Sequence, residues 1–88
     1  SGDSLAIYRF IADVDYPRTN DGALDGMVHP ARQDRDFEPL NANAPLFLTF
    51  SGKTVGWEGP QGLVPVFINE AAYYEKHAAM TICEKDAI

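Results

Sequence analysis

The chain has 88 residues, of which 45% are apolar and 23% are charged, so its composition is that of a globular protein. A chain this short buries only about 60% of the surface that its unfolded form exposes, which indicates one small domain with a limited core. Thirteen Asp and Glu against seven Lys and Arg give a net charge of −6. That balance disfavours nucleic acid and anionic lipid as partners, and no apolar run approaches the roughly 20 residues that span a bilayer.

The first half of the chain predicts strands that are separated by polar turns. Leu5 to Val14 carries apolar side chains on both faces, which is typical of a strand buried in a core or against another domain. Asp15 to Gly26 is dense in Asp, Asn, Gly and Pro, so it predicts a loop or an open hairpin tip. Met27 to His29 is a short candidate strand that a proline ends. In the polar stretch that follows, the expected apolar anchors are Phe37 and Leu40.

A hairpin and an edge strand are predicted next. Leu46 to Phe50 and Thr54 to Trp57 predict two paired strands, joined by the tight turn Ser51-Gly52-Lys53. Val64 to Ile68 also predicts a strand. Because it contains Pro65, which has no N–H to donate to a sheet, an edge or a bulge suits it better than a central position.

The last part of the chain contains one ambiguous segment and one strand. Asn69 to Lys76 fits either a single helical turn capped by Asn69 or a tight loop. Ala78 to Cys83 alternates again and predicts the closing strand. Six or so short strands joined by Gly and Pro turns indicate a mainly β fold, built as a small barrel or sandwich.

The residues by themselves predict no active site. Zinc needs three or four His, Cys or carboxylate ligands that converge on one point, whereas His29, His77 and Cys83 are scattered along the chain. Each histidine is interpreted as a turn or surface residue, and Cys83 as a small buried apolar residue. A single cysteine forms no internal disulfide, which fits a reducing compartment, and we expect a cytoplasmic protein.

Several short motifs resemble, in order, the C-terminal region of aspartoacylases. Together they cover about residues 13 to 76, and the last of them is the most specific. They are Asp15-Tyr16-Pro17-Arg18, Val28-His29-Pro30 with Gln33-Asp34 shortly after, Asp36-Phe37-Glu38-Pro39-Leu40, Pro45-Leu46-Phe47-Leu48-Thr49, Gly52-Lys53-Thr54, Pro65-Val66-Phe67 and Asn69-Glu70-Ala71-Ala72-Tyr73-Tyr74-Glu75-Lys76.

The resemblance implies a barrel-sandwich hybrid domain over residues 1–88 and a longer parent enzyme of the aspartoacylase and succinylglutamate desuccinylase group. In that group a carboxypeptidase-like N-terminal domain holds one zinc through two His and a Glu. A further Glu there acts as general base, and the enzyme hydrolyses an N-acyl amino acid, N-acetylaspartate giving acetate and aspartate. None of those ligands maps onto this chain. We therefore expect the fragment alone to hold no zinc and to be inactive.

Two residues carry a role over from the resemblance. Tyr73, the first tyrosine of the Ala-Ala-Tyr-Tyr run, matches the family tyrosine that hydrogen-bonds the bound substrate. A phenol suits that task because it is a neutral donor at pH 7. Glu70 matches the glutamate just before it, which either orients the segment or acts only as a structural cap. Tyr74 is expected to pack in a core or interface.

The resemblance also defines the expected partners and the rival functions. The partners are the parent's own N-terminal catalytic domain and a small N-acyl amino acid. An excised domain should expose apolar surface near Tyr73 and along its first strand, and self-association would follow. One rival is a lipoyl or biotinyl carrier domain, because Lys53 is predicted at a hairpin tip as the modified lysine of such domains is. The other is a non-catalytic β binding or interaction module.

Overall fold

A computed structural model describes residues 6–70 and 77–87. Over these residues the chain forms antiparallel strands in two three-stranded sheets, ordered β1-β6-β5 and β2-β3-β4. This confirms the prediction of a mainly β fold. The strands of the described part are β1 (Ala6–Val14), β2 (Gly26–Val28), β3 (Pro45–Thr49), β4 (Thr54–Gly56), β5 (Val64–Val66) and β6 (Met80–Ala87).

The first sheet is built on the long pair β1 and β6. Their register runs from Ala6 opposite Ala87 to Val14 opposite Met80, with a bulge between Phe10 and Ala12. β5 pairs with β6 only over the short stretch from Val64 opposite Cys83 to Val66 opposite Thr81. β5 is thus an edge strand, as its proline predicts, because an edge position leaves the missing N–H of that proline without consequence.

The second sheet consists of the hairpin β3–β4 with β2 on its other side. At the hairpin turn the backbone N–H of Gly52 donates to the carbonyl of Thr49 at 2.9 Å, and Gly52 has a φ of 91°. A residue with a Cβ would be strained in that left-handed conformation. At the far edge, a Cβ on Gly26 would lie 2.8 Å from the carbonyl oxygen of Leu48, so glycine allows β2 to approach β3.

The core lies between the two sheets. Leu40 and Ile82 are fully buried, and Met80 is 1% exposed. A smaller cluster of Val64, Val66 and Cys83 covers the other side of the first sheet. Burial of Leu40 and of Cys83 confirms both sequence interpretations. The main cluster comprises Tyr16, Val28, Leu40, Leu46, Phe47, Ile68, Ala79, Met80 and Ile82.

One end of the first sheet is a two-stranded ribbon that we define as residues 6–11 of β1 with residues 84–87 of β6. Residues 6–9 of this ribbon lie beyond the end of β5, whose last partner in β6 is Cys83, and Phe10 is the β1 residue opposite Cys83. The apolar side chains of the ribbon remain exposed: Phe10 is 61% exposed, and Ile7 and Ile11 are each 46% exposed. The exposure of apolar surface expected for the first strand is therefore observed.

Two predictions about this sheet and its neighbours were wrong. The last strand begins at Met80 and continues through charged residues to Ala87, well past the predicted end at Cys83. It continues because these residues pair with β1 in the ribbon, where polar side chains face solvent. Phe37 is 52% exposed instead of being a core anchor, and its backbone has a φ of 67°. Its ring packs edge-on against Tyr8, with ring centroids 5.0 Å apart.

Candidate functional site

The motif Asp15-Tyr16-Pro17-Arg18 follows directly on β1 and forms the most densely connected polar cluster of the described residues. The Asp15 carboxylate accepts hydrogen bonds from Arg18 Nε at 2.8 Å and from the Tyr16 backbone N–H at 2.7 Å. It also lies 3.0 Å from Nδ1 of His77. Since an ionised carboxylate only accepts, Nδ1 of His77 carries the proton in this contact.

These contacts keep Asp15 ionised. Partial burial raises the pKa of Asp15, but the hydrogen bonds from Arg18, His77 and the Tyr16 backbone, together with the charge of Arg18, outweigh that effect. The pKa of Asp15 therefore lies below its ordinary value of 3.8. An ionised Asp15 is a strong acceptor for the exposed imidazole of His77 over most of the pH range.

Tyr16, in the same motif, is hydrogen-bonded to Asn69. Its ring is buried in the main core, with its centroid 6.1 Å from that of Phe47. Its hydroxyl donates a hydrogen bond to the side-chain oxygen of Asn69. A buried phenol needs such a partner, because an unpaired buried hydroxyl destabilises the fold.

The backbone brings both flanks of residues 70–76 to the end of β1. The N–H of Asn69 donates to the carbonyl of Ala79 at 2.7 Å, and the N–H of Ala79 donates to the carbonyl of Val14 at 2.7 Å. Asn69 and His77 both have a φ of 55°. Asparagine, aspartate and histidine enter this left-handed region more readily than other residues with a Cβ.

Of the predicted site residues, the structure describes Glu70. Glu70 is exposed and lines an open cleft of about 450 Å³ with Asp13, Phe67, Ala78, Met80 and Thr81. Tyr73 and Tyr74 lie outside the described residues. The sequence interpretation missed the roles of Asp15 and Tyr16. Their signals were the density of polar and aromatic residues directly after a strand and the place of Asp15-Tyr16-Pro17-Arg18 among the motifs that carry the family resemblance.

The residues that were weighed as metal ligands lie apart. His29 uses Nδ1 to accept the backbone N–H of Ala31 at 3.0 Å, and His77 contacts Asp15. Cys83 is buried in the small apolar cluster. Throughout residues 6–70 and 77–87, no three His, Cys, Asp or Glu side chains lie close enough together to hold a metal ion. These residues do not fit zinc.

Lys53 is exposed and follows the turn of the β3–β4 hairpin. Its backbone N–H donates to Oγ1 of Thr49 at 2.9 Å, and its carbonyl accepts from the N–H of Thr49 at 2.8 Å. The predicted hairpin position of Lys53 is therefore confirmed. Among the described residues there is no helix of the length and apolarity needed to cross a membrane.

Two small antiparallel sheets with a core between them define a β domain of the barrel-sandwich class. Residues 3–85 match the AstE/AspA barrel-sandwich hybrid domain, and the chain belongs to this family. In structure it is similar to murine aminoacylase 3, with a TM-score of 0.91 and 53% sequence identity over 98% of this chain and 28% of that one.

Curated relatives match nearly the whole chain. A probable aspartoacylase of Nostoc sp. is 55% identical over 84 residues, which are 96% of this chain and 29% of the relative. An N-acyl-aromatic-L-amino acid amidohydrolase (carboxylate-forming) of Mus musculus is 58% identical over 81 residues, 92% of this chain and 26% of the relative. An aspartoacylase of Danio rerio is 50% identical over 83 residues, 93% of this chain and 26% of the relative. The chain thus spans between a quarter and a third of the length of these relatives.

Proposed function

We propose that this chain is the C-terminal domain of a zinc-dependent amidohydrolase that deacylates N-acyl amino acids, with N-acetylaspartate as substrate. The observation that carries the proposal is identity of 50% to 58% with relatives named as amidohydrolases or aspartoacylases, over at least 92% of the chain. The chain spans only 29% and 26% of the first two relatives, so the catalytic domain would be the remainder of the parent enzyme.

The proposal assigns zinc to the parent's N-terminal domain. In this chain His29 accepts from the backbone and His77 contacts a carboxylate that Arg18 also binds. Such side chains are already committed to structural contacts, so this domain would contribute substrate binding and the shape of the substrate channel. We also propose a cytoplasmic parent enzyme, since a lone buried thiol such as Cys83 is in keeping with a reducing compartment.

The exposed apolar side chains of the ribbon are evidence for an interface with another domain. Four apolar or aromatic side chains of β1 are between 38% and 61% exposed, namely Ile7, Tyr8, Phe10 and Ile11. A strand with this much apolar surface on both faces is typical of an interface. We assign it to contact with the N-terminal catalytic domain of the same polypeptide, and we expect the 88-residue chain to self-associate when that domain is missing.

Tyr73 is the residue that would touch substrate. Its phenol would donate a hydrogen bond to the substrate carboxylate or to the oxyanion that develops when the amide is attacked. A neutral donor stabilises that negative charge without placing a second cation beside the metal. Glu70 would support the same segment from the exposed rim of the cleft.

A second candidate substrate class is N-acyl aromatic amino acids. It is favoured by the Mus musculus relative of that name, which is 58% identical, slightly more than the relatives named aspartoacylase. The two candidates differ in the amino-acid side chain, a carboxylate in one and an aromatic ring in the other. Hydrolysis of N-acetylaspartate and of N-acetylphenylalanine by the full-length protein distinguishes them.

The test of the domain's role is Tyr73→Phe in the full-length protein. A hydrogen bond to a charged group contributes about 1.5–3 kcal/mol, so kcat/KM is expected to fall about ten- to a hundredfold with the fold intact. Tyr74→Phe is the control and should have a much milder effect. Full activity in Tyr73→Phe would remove the assigned role.

The isolated 88-residue chain is the negative control for the full-length protein in that experiment. It is expected to hydrolyse neither substrate and to retain no stoichiometric zinc after dialysis, because the donor side chains within residues 6–70 and 77–87 do not converge. Metal analysis and an amidase assay on the same sample check both statements. Stoichiometric zinc bound through His29, His77 or Cys83 would contradict the assignment of the metal to another domain.

A further inference from the structure

The two faces of the ribbon differ in their chemistry. Because successive side chains of a strand point to opposite faces, Tyr8 and Phe10 lie on one side of β1 and Arg9 lies on the other. Phe10 is opposite Cys83, which belongs to the small apolar cluster. Tyr8 and Phe10 are therefore on the side of the first sheet that faces away from the main core.

Phe37 adds a third exposed ring to the side of Tyr8 and Phe10. Its ring packs edge-on against that of Tyr8, and about half of its side chain remains exposed. Its backbone N–H donates to the carbonyl of Pro65 in β5 at 2.8 Å, in a left-handed conformation that a bulky residue disfavours. Residues with a strained backbone cluster at functional sites. We define the aromatic face as Tyr8, Phe10 and Phe37.

The ion-paired face, which we define as Arg9, Glu84 and Asp86, has its charges matched within this domain. The guanidinium of Arg9 donates to the carboxylate of Glu84 at 2.7 Å and also to that of Asp86. The three side chains are between 46% and 60% exposed. Moving ions out of water costs free energy, which their mutual attraction offsets only with very good geometry. A partner would therefore gain little by covering this face.

The aromatic face has the opposite energetic balance. Its three side chains carry no charge to desolvate, and aromatic side chains are enriched at the buried centres of interfaces, from which charged residues are depleted. The charged residue directly opposite Tyr8 is Lys85, which is exposed and forms no ion pair within residues 6–70 and 77–87. The surface that fits the aromatic face is thus apolar, with a carboxylate placed for Lys85.

We infer that the N-terminal catalytic domain of the same polypeptide covers the aromatic face and leaves the ion-paired face in solvent. The inference rests on the proposed function, in which that domain precedes this chain and is joined to it near the end of the ribbon, where β1 begins at Ala6. A domain tethered there has a high effective concentration at the aromatic face. A second copy of the chain lacks that advantage, and its net charge of −6 repels the first copy.

Hydroxyl-radical footprinting, read by mass spectrometry, tests whether the aromatic face is covered in the full-length protein. Phe50 is the matched control, because its side chain is 63% exposed in this domain against 61% for Phe10. In the full-length protein we expect Tyr8, Phe10 and Phe37 each to be oxidised at least about fivefold more slowly than in the monomeric 88-residue chain, because the centre of an interface excludes solvent. Oxidation of Phe50 should differ by less than about twofold between the two proteins.

Carboxylate labelling of the same two samples, with a carbodiimide and glycine ethyl ester, tests the opposite face. Glu84 and Asp86 flank Lys85 in β6, so their labelling reports on the other side of the same short stretch of strand. We expect the labelling of both carboxylates to differ by less than about twofold between the full-length protein and the 88-residue chain, because the ion pairs stay in solvent. Neither measurement requires a variant, so the fold is undisturbed.

Protection of Glu84 and Asp86 together with the three rings would overturn the inference, because the catalytic domain would then enclose both faces. Protection of Phe10 without Phe37 would overturn it as well, since the contact would be confined to the ribbon. In both cases the assignment of the ribbon to the catalytic domain would stand. Unchanged oxidation of all three rings would overturn that assignment together with the inference, and an amidase assay on the same full-length sample tests the proposed enzyme class separately.

Discussion

The core and the ribbon of this domain are made from the same two strands, yet they differ in what covers them. In β6, Ile82 is fully buried between sheets and has β1 and β5 as neighbours. A few residues further along, β5 has ended, and β1 alone remains beside β6. Ile7 on that part of β1 is 46% exposed, and Phe10, opposite the last β6 residue that pairs with β5, is 61% exposed. Alternation of apolar residues therefore predicts that a strand forms, but it does not predict which molecule buries its faces.

The largest expected difference between the two regions is in stability. Ile82→Ala should destabilise the 88-residue chain by about 2–5 kcal/mol, because it removes buried methyl groups and leaves a cavity. The matched change Ile7→Ala on the ribbon should cost less than about 1 kcal/mol, since the side chain is half exposed already. Urea denaturation of both variants measures the comparison. Equal losses would mean that the ribbon is as well packed as the core.

The second expected difference is in association. Phe10→Ser should weaken self-association of the 88-residue chain about tenfold or more, since burying a Phe side chain contributes roughly 1.5–3 kcal/mol. Phe50→Ser is the matched control, because Phe50 is 63% exposed against 61% for Phe10 but lies at the β3–β4 hairpin. Sedimentation equilibrium gives the dissociation constants. If Phe50→Ser weakens self-association more than Phe10→Ser does, the chains associate through the hairpin and not through the ribbon.

The smallest expected effect concerns acid stability at the junction of the two regions. The folded-state pKa of Asp15 lies below its ordinary value of 3.8, so ionised Asp15 favours the folded state. This contribution is fully present above the unfolded pKa and is lost as the pH falls through the folded pKa. Asp15→Asn lacks it, so the difference in unfolding free energy between wild type and variant should shrink as the pH falls below about 4.

Asp86→Asn is the ribbon counterpart of that change. It breaks an ion pair with Arg9 in which the two side chains are 60% and 47% exposed. Exposed pairs of this kind contribute little, and we expect the free energy of unfolding to change by less than about 0.5 kcal/mol.

For Asp15→Asn, a difference in unfolding free energy from wild type that stays constant down to pH 2 would contradict the role of the Asp15 carboxylate.

The sequence predicts which segments form strands, but it does not predict where β6 ends or that the side chain of Phe37 is exposed. The hairpin of β3 and β4 and the edge strand with Pro65 follow from local signals, because turn chemistry and the missing proline N–H act within a few residues. The end of β6 does not follow, since its charged residues are paired with β1, which lies at the other end of the chain. The position of Phe37 does not follow either, because its ring packs against Tyr8 of β1 and its backbone is left-handed, which its residue type disfavours.

The candidate site was predictable only through the family resemblance. Tyr73 and Glu70 carry no signal of their own, because a tyrosine or a glutamate near a turn is common in any β domain. The contacts of Tyr16 with Asn69 and of Asp15 with His77 span 53 and 62 residues. Such pairings depend on the tertiary fold, and no periodicity or spacing in the sequence encodes them.

Amide hydrogen exchange on β1 tests most directly the claim that the ribbon is an interface within a larger enzyme. It would be measured in the 88-residue chain, at a concentration where the chain is monomeric, and in the full-length protein. We predict that amides of residues 7–11 become markedly more protected in the full-length protein, while those of Ile82 and Cys83 change little because the core already buries them. Equal exchange of residues 7–11 in both proteins would contradict the account, because the ribbon would then be free in the complete enzyme.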